Sequence, residues 1–99
     1  SLNLITDAVP VGIEPLAVRT YLAEITGVSN VHDLHIWAMS TTETALTVHL
    51  VMPSGYPGDA FLSRVVKELH DNFGIEHPTI QVETGDSSYS CPFASENSV

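Results

Sequence analysis

Five histidines, twelve carboxylates and one cysteine are the side chains through which this 99-residue chain could do chemistry. Imidazole nitrogens beside carboxylate oxygens form a donor set for Zn²⁺ and its neighbours, whereas Ca²⁺ and Mg²⁺ want shells of oxygen alone. Two histidines, His35 and His49, fall in apolar–polar alternating runs on the parity opposite Leu34, Ile36, Val48 and Leu50. If those apolar residues share a buried face, the two imidazoles share the other, and a turn over 41–43 sets them opposite each other. Gln81 and Glu83 alternate with Ile80 and Val82 and point the same way. The pattern expects one sheet face that gathers imidazole and carboxylate.

The elements that must position these groups follow from the spacing. Leu16, Val18, Tyr21, Leu22 and Ile25 recur at helical period, with Pro15 suited to a first turn and Gly27 to a stop, which predicts a helix over 14–26. Alternation over 28–39 and 44–52 around the polar break 40–43 predicts a hairpin. Its core parity is Leu34, Ile36 and Ala38 against Leu46, Val48 and Leu50. Asp59 is placed to cap a second helix over 60–73, with a stripe of Leu62, Val65, Val66, Leu69 and Phe73 and a stop at Gly74. A third strand spans 77–84. Residues 1–13 show no period and read as a lead-in, and 85–99 as a flexible tail carrying Cys91. The order is α-β-β-α-β, an α+β sandwich in which two helices cover one face of a three-stranded sheet and leave the other available.

Composition narrows the function. Hydrophobic residues make up 43% of the chain, enough for a folded domain. Three basic residues against twelve acidic ones, a formal charge of −9, exclude a phosphate-tracking nucleic-acid surface and argue against an anionic membrane surface. Such a domain attracts cations. Cys91 has no internal disulfide partner, no apolar run approaches a membrane span, and no signal peptide opens the chain. A soluble piece of something longer is expected, because the chain starts at Ser1 without Met. No nucleophile–base pair or glycine-rich phosphate loop is present, so a catalyst is not expected.

The runs VHDLHIW (31–37), LTVHL (46–50) and PTIQVE (78–83), in this order and at these separations, resemble the cytosolic C-terminal domain of the cation diffusion facilitator family. These are divalent-metal/proton antiporters, and the likeness is to the bacterial cobalt-zinc-cadmium efflux type. It runs from about Leu4 to Glu83 and includes the lead-in LITDAVP, similar to the stretch leaving the last membrane helix. The resemblance implies a metallochaperone-like (ferredoxin-like) fold, a homodimer, and a cytoplasmic domain tied to its own transmembrane part in the inner membrane. It implies Zn²⁺, or Cd²⁺ or Co²⁺, held by His32, His49 and Glu83. Asp59 stands where some relatives supply a further ligand; Gln81, a poor zinc ligand, argues against a two-ion cluster.

The resemblance and the alternation conflict at one point. Parity from Leu34 puts His32 on the core side, and a bulge near 30–32 would bring it beside His49. His35 remains its rival, and Asp7 and Cys91 are further candidate ligands from lead-in and tail. Trp37 is expected to anchor packing or an interface, His70 to be solvated, and His77 to sit at a loop end. Two rival functions share the topology: a free-standing metal carrier, and a small-molecule-binding regulatory domain.

Overall fold

The computed structural model describes residues 12–85, together with the backbone of the pair 5–6. Pro15, whose ring presets a helical φ, opens helix α1 (Pro15–Ala23) directly after Glu14. The helix ends short of the expected Thr26. The amide of Glu24 returns to Thr20 and Tyr21, and those of Ile25 and Val28 make tight turns that carry the chain through Gly27 at φ +95°. Val18 and Leu22 are fully buried, while Leu16, expected in the same stripe, is 48% exposed at the helix start.

Strands β2 (Asn30–Ala38) and β3 (Thr44–Val51) form the expected antiparallel hairpin. Its polar turn is closed by the Met39 amide donating to the Glu43 carbonyl at 2.8 Å. Helix α2 (Asp59–Phe73) crosses over to β4 (His77–Glu83), which pairs parallel with β3. A two-residue strand, β1 (Ile5–Thr6), lies parallel against the outer edge of β2, inside the segment read as a lead-in. Two residues without periodicity leave no trace that sequence patterning can register. The sheet is mixed, in the order β1-β2-β3-β4.

Helix α2 departs from expectation at its start. Gly58 takes the cap position and Asp59 is the first helical residue, its carboxylate accepting from the Tyr56 hydroxyl at 2.9 Å instead of capping. Phe61, Val65 and Leu69 form the buried stripe at i, i+4 and i+8; Phe61 was missing from the expected set, and Leu62 and Val66 are only half-buried. Gly74, at φ +71°, supplies the left-handed residue that ends the helix, and its amide returns to His70 at 3.0 Å. Both helices meet the sheet through one core with Val31, Leu34, Ile36, Leu46, Val48 and Leu50. Ala38, assigned to the core by parity, is exposed at the hairpin end.

The helices are joined by the Tyr21 hydroxyl, which donates to a Glu68 carboxylate oxygen. Burial, and then the carboxylate beside it, push this phenol above the ordinary tyrosine range. Tyr21→Phe is expected to lower stability by about 1 kcal/mol in a denaturant titration near neutral pH. Because the native phenol holds its proton longer than the unfolded one, wild-type stability falls as pH climbs above about 10. Tyr21→Phe should lose that part of the alkaline decline.

Candidate metal site

The register of the hairpin decides which histidines meet. His32 stands opposite His49, and His35 stands opposite Thr47. Between these pairs β2 advances three residues while β3 advances two, so β2 carries an extra residue. That bulge falls at Asp33–Leu34, later than the expected 30–32, and Asp33 has φ +54°. Val31 and Leu34, three residues apart, are both 2% exposed, so the inward parity switches across the bulge. His32 therefore shares the open face with His49, and the conflict between alternation and resemblance disappears.

On the other side of β3, His49 pairs with Gln81 and Val51 with Glu83. Gln81 and Glu83 thus lie on the histidine face, as alternation expected. Glu83 reaches back between the two imidazoles: Oε1 lies 2.9 Å from His32 Nε2, and Oε2 lies 2.7 Å from His49 Nδ1. The Gln81 amide donates to Glu83 Oε2 at 3.0 Å, which orients the carboxylate. The rings are 4.9 Å apart between centroids and tilted 67° to each other. Side-chain exposures of 15% for His32 and 20% for His49 and Glu83 leave the group half-buried but reachable from solvent.

One donor atom from each of His32, His49 and Glu83 lies within 4.8 Å of the others. Tetrahedral zinc with bonds near 2.0–2.1 Å needs donors roughly 3.3 Å apart, and here the Glu83 oxygens lie 2.9 and 2.7 Å from the two imidazole nitrogens. Two imidazole nitrogens and one carboxylate are also a donor set that zinc-type ions accept, so the residues fit such an ion.

Among the described residues, the remaining candidates do not join this group. His35 is half-buried further along β2. Asp59 is exposed at the start of α2 against Tyr56. His70, 56% exposed, lies between Asp71 and Glu76 on the polar side of α2, as expected. His77 faces Glu43 at 3.3 Å at the start of β4. Asp7 and Cys91 lie outside the described residues.

One residue escaped the sequence reading. Asp33, 18% exposed, places Oδ2 3.3 Å from His32 Nδ1 and 3.6 Å from His49 Nδ1. Its trace was the odd spacing of Val31 and Leu34, since two core residues three apart in a strand require a bulge.

A mixed sheet with helices on one face and an imidazole–carboxylate cluster on the other makes an α+β domain whose open face carries donors of the kind divalent cations take. The profile of the cation efflux protein cytoplasmic domain matches residues 10–85, and the chain belongs to that family. It is 40% identical over 83 residues to a probable zinc transporter protein of Dictyostelium discoideum, covering 84% of this chain and 15% of that protein. To the metal cation efflux system protein CzcD of Cupriavidus metallidurans it is 37% identical over 84 residues, covering 84% and 27%. To the human proton-coupled zinc antiporter SLC30A2 it is 31% identical over 80 residues, covering 81% and 22%. The chain thus spans about a quarter or less of the length of these relatives. Among solved structures, the metal-bound C-terminal domain of the CzcD transporter superimposes with a TM-score of 0.64 at 36% identity, covering 72% of this chain and 99% of that one. Two helices and a three-stranded mixed sheet match that domain. No helix among the described residues is long and apolar enough to cross a membrane.

Proposed function

We propose that this chain is the metal-sensing and dimerising cytoplasmic module of a membrane exporter of divalent cations, proton-coupled in the full-length protein. His32, His49 and Glu83 are its ligands, and Zn²⁺ is the ion, with Cd²⁺ and Co²⁺ able to use the same donors. The observation that carries the reading is the convergence of these three side chains, from three strands, to within 4.8 Å on a face the helices leave uncovered. The metal-bound relative of the same fold supports it. The module occupies residues 14–84, with 1–13 linking it to the exporter's own transmembrane part and 85–99 as a tail.

The mechanism follows from charge. A chain of −9 repels its copy, so two apo protomers hold apart. A dication at the histidine face cancels part of that charge and ties β2, β3 and β4 together, which favours a closer homodimer. The membrane part senses the change as a shift in population. The role is binding and regulation, with no bond made or broken.

Titration with zinc, followed by calorimetry, thermal melting and small-angle scattering, tests this. At one hundred times the dissociation constant, binding should stabilise the native state by about 2.7 kcal/mol, a rise in Tm of about 10 °C or more. The scattering curve should shift toward a compact dimer. Absence of heat, stabilisation and compaction together would defeat the proposal.

A further inference from the structure

Asp33 is the only non-glycine residue with positive φ among the described residues. At a bulge of this kind glycine is the unstrained choice, and a residue with a Cβ carries a conformational cost that aspartate only partly escapes. The reason for an aspartate here must therefore lie in its side chain. That side chain points at His32: Oδ2 is 3.3 Å from Nδ1, while the same ring's Nε2 is 2.9 Å from Glu83. The two nitrogens of His32 thus have different partners, one from its own bulge and one from β4.

We infer that Asp33 is a positioning residue for the zinc site, accepting a hydrogen bond from His32 Nδ1–H so that Nε2 is the nitrogen presented to the ion. The inference rests on the reading of His32 as a ligand. Ligating histidines commonly donate their second nitrogen to a carboxylate, which fixes the tautomer, holds the ring plane and makes the ligating nitrogen more basic. The bulge performs two tasks with one residue. It turns His32 from the core parity to the histidine face, and it places the carboxylate that orients the turned ring. Being 3.6 Å from His49 Nδ1, Oδ2 also adds negative potential beside the second imidazole.

Backbone and carboxylate can be separated by substitution. Asp33→Gly relieves the positive-φ cost and removes the acceptor; Asp33→Asn tolerates the same backbone and keeps a neutral acceptor oxygen. With zinc as the probe, competition against a chromophoric chelator should show Asp33→Gly binding about 10–100-fold more weakly than wild type, with Asp33→Asn between them. The thermal midpoint of the metal-free Asp33→Gly chain should not fall. In nitrogen-15 spectra of the zinc-loaded protein, the His32 Nδ1 proton should exchange slowly in wild type and fast in Asp33→Gly, a difference that a purely structural bulge would not produce. Should Asp33→Gly fail to fold, a loss of affinity in Asp33→Asn supports the inference and wild-type affinity overturns it. If Asp33→Gly and Asp33→Asn bind zinc as wild type does while His49→Ala loses binding, the role of Asp33 is wrong and the site stands. If His49→Ala binds as wild type does, the site itself is wrong and the inference goes with it.

Discussion

His49→Ala is expected to weaken zinc binding by about 100-fold or more, while His70→Ala leaves it unchanged. Zinc held by a full protein ligand set is worth about 10–16 kcal/mol, so one of four coordination positions accounts for about 3 kcal/mol, near two orders of magnitude in affinity. His49 is central to the group, since its strand lies between the one that carries His32 and the one that carries Glu83. His35, the next imidazole along β2, stands opposite Thr47 and is not among the converging donors. His70 is the fitting control: it is a histidine in a similarly acidic setting, beside Asp71 and Glu76, but on the helix and 56% exposed. Calorimetric titration of the two variants side by side reads the difference. Equal affinities would place the ion elsewhere. The fold should hardly register His70→Ala, because that side chain is exposed and such substitutions usually stay within about 0.5 kcal/mol.

The same residues show how far a sequence can be read. Alternation around Leu46, Val48 and Leu50 identified β3, its inward face and the outward face of His49, because a central strand with one buried side leaves a clean period of two. β4 was legible for the same reason through Ile80 and Val82. At β2 the period itself breaks, and a count that starts at Leu34 assigns His32 to the wrong side. The resemblance of VHDLHIW to a known family supplied the correct histidine without supplying its geometry. Only the register, Val31 against Leu50 and Ile36 against Leu46, places the extra residue at Asp33–Leu34. Asp33 left only the odd spacing of Val31 and Leu34 as a trace, because its place in the site depends on a left-handed backbone at the bulge. Pairing of β1 with β2 was invisible for another reason: its residues are held by a neighbouring strand, and that is long-range information. In helix α1, Leu16 fits the helical period yet is 48% exposed at the helix start, so period alone overestimated the buried face.

Leu50→Ala should cost about 2–5 kcal/mol of folding stability, a large part of the 5–15 kcal/mol that holds a domain of this size together. Leu50 has no exposed surface and lies mid-core, paired with Val31 across the hairpin and with Val82 on the parallel side. Truncation there removes apolar contact from β2, β3 and β4 at once, and strands fixed on both sides cannot collapse into the void. The denaturant midpoint should fall with an unchanged slope, the mark of lost stability in a cooperatively unfolding domain. Leu16→Ala, at a position 48% exposed, should stay within about 0.5 kcal/mol of wild type. The contrast also separates fold from site. Leu50 follows His49 directly in the chain but faces the helices, so the fraction of Leu50→Ala that remains folded should bind zinc with close to native affinity. Saturating zinc should then restore part of the lost stability, because an ion bound to the native state alone draws the equilibrium toward it. If zinc left the variant's own unfolding free energy unchanged, the ion would not couple to the folded sheet, and the proposed clamping of its strands would have to be abandoned.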